Sequence, residues 1–388
     1  MDESRDVSLR VNNIASDDRN PPLDMATSTE SLAGVFVARA RKIYRPIGFS
    51  KGYNFVLWFV FAGGFFGFIL ARLEYLDVWG KFCVDNPTIT SGAIPGECFY
   101  YQAPGRNRIG IFLHLACMLP GGLLMLVQFI PVVRHKLITL HRINGYLVIL
   151  LSVLGTAGAI MIARNAVGGG LDVQTAVGLL AIMFIGALGM AMFNIKRLQV
   201  EQHRAWMLRA WFYACVIVTF RFSLYFGALA VSSIGGYYMA QPCDKINFTL
   251  GGEQATLSAY PGCAPFFSGE TPDQHVVVLA NYNSEDQMQI ATAFNTVFGM
   301  SAWICIALHA IGVEVYLHLT PAEHERLRNM SYQRQLEAGM RNPGRSGLTV
   351  DRIGDTERWS PKPLDGNIDR GKPSTRANLS SQSSINNS

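Results

Sequence analysis

The chain has little charge for its size. Of its 388 residues, 16% are Asp, Glu, Lys or Arg, against about 25% in ordinary soluble domains. It also lacks the short motifs that announce common chemistries. There is no CxxCH sequence, which excludes covalent c-type haem attachment. No HExxH, Walker loop or GxSxG stands in a credible context, which removes the readings of zincin, P-loop nucleotidase and α/β-hydrolase. Cysteine is missing from every Lys/Arg-rich connection, an absence with a topological meaning developed below.

What is present is apolar residue, 49% of the chain, gathered into long blocks that an amphipathic core would not require. Six blocks, at about 53–71, 109–132, 145–162, 173–193, 207–230 and 291–319, each reach the roughly 20 residues needed to cross a bilayer. The sequence therefore predicts an all-α integral membrane protein, a bundle of six or seven transmembrane helices over 35–319. Loops 72–108 and 231–290 join their ends, and the second is long enough to fold into a cap. Residues 1–34 are polar and expected to be disordered. The tail, 320–388, should form a short charged helix to about Met340 and lack structure after Asn342.

Arginine and lysine fix the expected orientation. Arg39, Arg41, Lys42, Arg45 and Lys51 precede the first span. Arg134, Lys136 and Arg142 join the second to the third, and Lys196, Arg197, Arg204 and Arg209 the fourth to the fifth. Arg326 and Arg328 follow the sixth. With six spans all four groups share one side, so both termini should be cytosolic. Cys83 and Cys98 then fall in the first exterior loop and Cys243 and Cys263 in the third. This is the distribution an oxidising lumen produces, and pairing within each loop is the simplest arrangement. Asn247 begins a glycosylation sequon on the same side, whereas the sequons at Asn329 and Asn378 face the cytosol. These signs together suggest a secretory-pathway membrane such as the endoplasmic reticulum. The net charge of +5 reads as topology and attraction to anionic lipid, with no nucleic-acid partner implied.

Small residues suit close helix packing, so Gly63 and Gly67, Gly121 and Gly122 after Pro120, and Gly186 and Gly189 are expected at helix contacts. Ionisable residues inside the spans are costly and mark candidate sites. His114 and Arg221 should share a level near the lumen, with Glu74, Asp77 or Asp172 as the neutralising acid. A second cluster lies toward the cytosol: His141, His203 with Arg204, Arg209, and His309, Glu314 and His318 on the last span. Glu314 has Arg209 as its plausible counter-ion. Two histidines on facing helices could also hold a b-type haem, with His141 and His203 the candidate ligands. Aromatic residues crowd the first span (Trp58, Phe59, Phe61, Phe65, Phe66, Phe68) and the fifth (Trp211, Phe212, Tyr213, Phe220, Phe222, Tyr225). Lipid-facing packing accounts for most of them, although ring faces around a cavity could stabilise a carbocation.

His114, Pro120-Gly121-Gly122, Gln128-Phe129, Leu140-His141-Arg142 with Gly145-Tyr146, then His203, Trp206, Arg209 and Arg221, resemble the pattern of the DUF2306 membrane proteins. The likeness covers roughly a third of the chain. The long tails and exterior loops give it a fungal or other eukaryotic look. Within that set it is similar to the membrane-bound terpene cyclases of ascofuranone-type meroterpenoid pathways. That resemblance implies an isomerase-type enzyme that cyclises an epoxidised prenyl chain with no cofactor, acting on a lipophilic prenylated substrate drawn from the lipid bilayer. Glu314, or Glu74 and Asp77, would supply the acid and a histidine the base. His141, His203, Arg209, His114 and Arg221 complete the expected catalytic set. A bis-histidine haem electron carrier and a transporter or structural membrane protein are the alternatives.

Overall fold

A segment surrounded by hydrocarbon must pair every N–H and C=O within itself, and the helix does so. The computed structural model describes residues 32–49, 52–84 and 92–361. In chain order these form α1 (Leu32–Tyr44), α2 (Gly52–Leu70), α3 (Phe99–Gln102), α4 (Arg106–Gln128), α5 (Pro131–Lys136), α6 (Ile138–Ile162), α7 (Leu171–Lys196), α8 (Val200–Ala214) and α9 (Val216–Ile234). They continue as β1 (Tyr238–Pro242), α10 (Cys243–Leu250), α11 (Glu253–Ala259), α12 (Ala264–Phe267), β2 (His275–Leu279), α13 (Gln287–His318), α14 (Pro321–Glu337) and α15 (Val350–Ile353). Six stretches are long and apolar enough to cross a membrane: α2, α4, α6, α7, the pair α8–α9, and α13. The protein is an all-α membrane bundle. The fifth span is interrupted at Cys215, where α8 gives way to α9. Of the first 34 residues, expected to be disordered, 1–31 lie outside the described residues, as do Lys51, 362–388 and the Asn378 sequon.

The chain divides into two compact units, 1–55 and 56–388. In the first, the ring of Tyr44 at the end of α1 stacks on Phe55, with centroids 5.9 Å apart. All that follows concerns the second.

The tightest helix contact joins α4 and α6. A Cβ added to Gly158 would lie 2.6 Å from the carbonyl oxygen of Gly110 and 2.6 Å from the amide nitrogen of His114. Backbone meets backbone there, so no side chain fits. Gly122 lies against Phe65 and Ile69 of α2, and Gly121 against Leu151. The expectation for Gly63, Gly67, Gly186 and Gly189 is not met: among the described residues nothing lies within 4 Å of a Cβ built on any of them. Their spacing permits close approach, but the neighbouring helices pack on other faces. Gly110 and Gly158, which carry the contact, stand outside the glycines expected to do so.

α13 is the longest described helix, 32 residues, or about 48 Å at 1.5 Å per residue. That exceeds the roughly 30 Å of a hydrocarbon core, so α13 runs on into the polar layer and packs on β1, β2 and α10. With these it forms a folded cap. β1 and β2 pair antiparallel from Tyr238↔Leu279 to Pro242↔His275. Beneath them Cys243, Ile246, Cys263, Val278 and Met288 make a closed apolar cluster, stapled by the Cys243–Cys263 disulfide. The other disulfide, Cys83–Cys98, ties the connection between α2 and α4. Both bridges lie at one end of the bundle, hereafter the disulfide end. Asn247 of the sequon sits within α10 with its side-chain oxygen buried.

At the opposite end the tail departs from its expected disorder. Residues 342–361 fold back with α14 onto the turn between α7 and α8. Buried Gln335 donates to Gln199 Oε1 at 2.8 Å and to the Arg197 carbonyl at 2.9 Å. The amide of Gly347 donates to Gln199 Oε1 at 2.9 Å and that of Leu348 to Asn194 Oδ1 at 2.8 Å. Asp351 accepts ion pairs from Arg328 and Arg345. The segment is rich in Gly, Pro and Ser, so its composition resembles disorder. Its order comes instead from hydrogen-bonding groups presented by residues about 150 positions away.

Candidate functional site

His114 is positioned by the glycine contact. Because α4 and α6 touch at Gly110 and Gly158, its Nδ1 reaches the Gly155 carbonyl at 2.9 Å. A carbonyl can only accept, so Nδ1 carries the proton and Nε2 is left as an acceptor. Arg221, in the second turn of α9, lies close enough to His114 for their charges to interact. Among the described residues no hydrogen bond joins the pair expected at one level.

The acid facing them is Glu97, which replaces the three expected. Asp77 accepts from the Gly80 amide at 2.9 Å as a helix cap. Asp172 lies against Gly299 of α13, and Glu74 makes no ion pair with Arg221 among the described residues. The carboxylate whose charge Arg221 feels is Glu97, one residue before Cys98. It has no signature in the sequence, because it sits in a Pro-Gly turn with no periodicity to mark it. The Cys83–Cys98 bridge is the physical reason for its position: it pins the loop over the bundle mouth, so the adjacent side chain is held there too. An inferred bridge between those two cysteines is the one signal in the sequence that points to it.

Around Glu97 the site is polar and specific. The hydroxyl of Tyr101, itself fully buried, donates to Glu97 Oε1 at 2.9 Å. Lys245 of α10, 4% exposed, reaches in from the cap and donates to Gln241 Oε1 at 3.2 Å. It can approach because position 96 is glycine. A Cβ there would lie 2.7 Å from Lys245 Cε, and its φ of +76° suits glycine as well. Burial pushes the Glu97 carboxyl above the ordinary carboxylate range, opposed by the Tyr101 hydroxyl and the charges of Arg221 and Lys245. Burial also lowers the Lys245 ammonium to about 8, against the pull of Glu97 and Asp244. The Tyr101 phenol rises, first through burial and then through the charge of Glu97.

Glu97, His114 and Arg221 lie deep among protein atoms, yet all keep accessible surface, and Arg221 is exposed. The three side chains lie within reach of one another's charge toward the disulfide end of the bundle. An arginine facing lipid there would carry a cost of several kcal/mol. Among the described residues no ion pair or hydrogen bond reaches the Arg221 guanidinium, and Glu97 does not touch it. Glu97 and the Arg221 guanidinium therefore feel each other's charge without a direct contact. Each nearby cation lies against an aromatic ring: Arg221 on Phe220, Arg72 on Phe68 and Lys245 beside Tyr100.

Most residues of the second expected cluster are engaged in hydrogen bonds of their own. Arg209 Nε and Nη2 grip Glu314 at 2.6 and 2.9 Å, and the guanidinium lies over Trp206 at 4.6 Å. Glu314 is thus the expected counter-ion of Arg209. A carboxylate held by both oxygens accepts and has no proton to give. His309 is engaged at both nitrogens, by the Phe212 carbonyl at 2.6 Å and Thr219 Oγ1 at 2.9 Å. His318 Nδ1 meets the Glu314 carbonyl at 2.8 Å and His203 Nδ1 that of Ala191 at 2.9 Å. His141, a turn inside α6, lies near enough to His203 for their charges to interact. Its Nδ1 is buried and makes no hydrogen bond among the described residues. Among the described residues no group of three or more His, Cys, Asp or Glu could hold a metal ion.

Comparison with known proteins agrees with the architecture. The chain is 24% identical over 318 residues to Ava biosynthesis cluster protein G of Aspergillus versicolor, spanning 70% of this chain and 90% of that protein. No solved structure matches. The segment holding His114, His141, His203, Arg209 and Arg221, residues 111–241, matches the family described as predicted membrane protein (DUF2306).

Proposed function

We propose that the protein is a membrane-embedded terpene cyclase of fungal secondary metabolism, and that the group of Glu97, His114 and Arg221 at the disulfide end is its reaction site. The observation that carries this reading is one acid, one base and one cation at the same end of the bundle: Glu97 held by the Tyr101 hydroxyl, His114 with Nε2 left as acceptor, and Arg221 without an ion pair among the described residues. Similarity to a biosynthesis-cluster protein supports an enzymatic role.

Opening an epoxide at the end of a prenyl chain needs a proton donor that is still protonated near neutral pH. Glu97 is the candidate donor, since burial raises its carboxyl above the ordinary carboxylate range. Its O–H transfers the proton to the epoxide oxygen as the C–O bond breaks. A chain alkene supplies the electron pair for the new C–C bond, and the ring faces of Phe68, Tyr100 and Phe220 stabilise the resulting cation. His114 Nε2 takes the proton lost when that cation collapses, and solvent exchange returns one to Glu97. Substrate and product are isomers, so the step needs no cofactor. A lipophilic substrate enters from the bilayer. Both disulfides lie at this end, so it faces an oxidising lumen, with the tail in the cytosol.

The test is to supply epoxidised farnesyl-phenols to microsomes containing the protein and look for an isomer of equal mass and altered retention. Glu97→Gln should lower turnover by about 100-fold or more with expression unchanged. Undiminished turnover in that variant, or no isomer from any substrate, sinks the reading.

A further inference from the structure

The cap carries a modification motif that the reaction site does not use. Asn247-Phe248-Thr249 is an acceptor sequence for an N-linked glycan. It stands between Cys243 and Cys263, bridged partners 20 positions apart. Glycan transfer joins Asn247 Nδ2 to the anomeric carbon of an oligosaccharide carried on a polyprenyl diphosphate. The N–C bond forms as the C–O bond to the diphosphate breaks, and one amide proton passes to the transferase. The transferase must engage the asparagine amide together with the hydroxyl two residues on. An extended or turned stretch offers both, but a helix does not, because residues i and i+2 do not face each other.

All three residues of the motif lie inside α10. Asn247 Oδ1 is buried and makes no hydrogen bond among the described residues. The Asn247 carbonyl accepts from the amides of Gly251 and Gly252, both at 3.1 Å, which close the helix end. Thr249 Oγ1 donates to the Lys245 carbonyl at 2.7 Å. It also lies against the connection between α2 and α4, where a Cβ added to Gly96 would stand 2.9 Å from it. Cys243, Ile246 and Cys263 are fully buried, so α10 cannot turn the motif outward without leaving the cap. The bridge holds the helix by its first residue, Cys243.

We propose that Asn247 is a fold-gated glycosylation site: the closed Cys243–Cys263 bridge hides it from the lumenal transferase, and an open bridge exposes it. Closing the bridge passes two electrons and two protons from the thiols to a disulfide oxidant of the lumen, and α10 then docks. The folded protein carries no glycan at Asn247, and a glycan there marks a chain whose cap did not close. The inference rests on the disulfide end facing the lumen, as proposed above, and is independent of the cyclase reading.

The experiment expresses the full-length chain in a eukaryotic host and compares its gel mobility before and after an endoglycosidase that removes N-linked glycans. The natural protein should show no shift. Cys263→Ser, which leaves the motif itself untouched, should gain an endoglycosidase-sensitive shift on most chains, and adding Asn247→Gln should abolish it. Cys83→Ser opens the other bridge and should stay unshifted. Synthesis into microsomes with dithiothreitol tests the gate without a substitution, and the natural chain should then be glycosylated at Asn247. A natural protein glycosylated at Asn247 on most chains overturns the proposal. So does a Cys263→Ser chain that stays bare in cells and in microsomes, or an equal shift in Cys83→Ser. A shift that survives Asn247→Gln and is lost with Asn329→Gln and Asn378→Gln would place the tail in the lumen, and would sink the orientation as well as the gate.

Discussion

Two arrangements of charge coexist in this bundle, and the difference decides what each can do. Arg209 and Glu314 satisfy one another through two hydrogen bonds, whereas Arg221 and Glu97 are held near each other and kept apart. Glu314→Gln should therefore cost stability, about 1–3 kcal/mol from a broken charged hydrogen bond, and leave turnover intact; thermal unfolding in detergent beside an activity assay separates the two. Lys245 makes a pH test. Its pKa falls from 10.5 in the unfolded chain to about 8, so between those values the unfolded state binds more protons and stability rises with pH. That contribution is complete above 10.5 and disappears as pH falls through about 8. The gain in melting temperature from Lys245→Met should be largest near neutral pH and shrink as pH approaches about 10. A pH-independent gain would mean the ammonium is solvated.

The elements each bring one part of the site. α4 brings His114, set by its glycine contact with α6, and α9 brings Arg221. The connection between α2 and α4 brings Glu97, and α10 of the cap brings Lys245. The loop residue depends most on a covalent tie. Opening the Cys83–Cys98 bridge by Cys83→Ser should cost about 2–4 kcal/mol. It should also impair turnover more than it impairs folding, because Glu97 lies next to the bridge. Activity measured at a temperature where the variant remains folded tests this. Loss of activity in step with loss of fold would make the bridge structural alone.

On the scale of the whole molecule the ordered tail joins the α7–α8 turn through buried Gln199, Glu201, Ser331 and Gln335. Ending the chain after Arg341 would strip partners from Gln199 and Asn194 and remove the Asp351 ion pairs, leaving buried polar groups unpaired at about 1–3 kcal/mol each. A truncated protein should melt at lower temperature in detergent; an unchanged melting point would show the tail to be dispensable. The sequence by itself determined the class of molecule. Long apolar blocks specify membrane helices, because hydrocarbon leaves the backbone no other partner, and the four cysteines outside the spans, two in each of two loops, made a bridge within each loop the simplest arrangement. It also paired Arg209 with Glu314, since helix rise converts position into depth. Only the tertiary structure selected Glu97 over Glu74, Asp77 and Asp172, brought Lys245 in from the cap and ordered the tail. Depth is periodic and local and can be counted along a chain. The direction in which a loop folds back is fixed by disulfides, single glycines and distant hydrogen bonds, which no stretch of sequence contains.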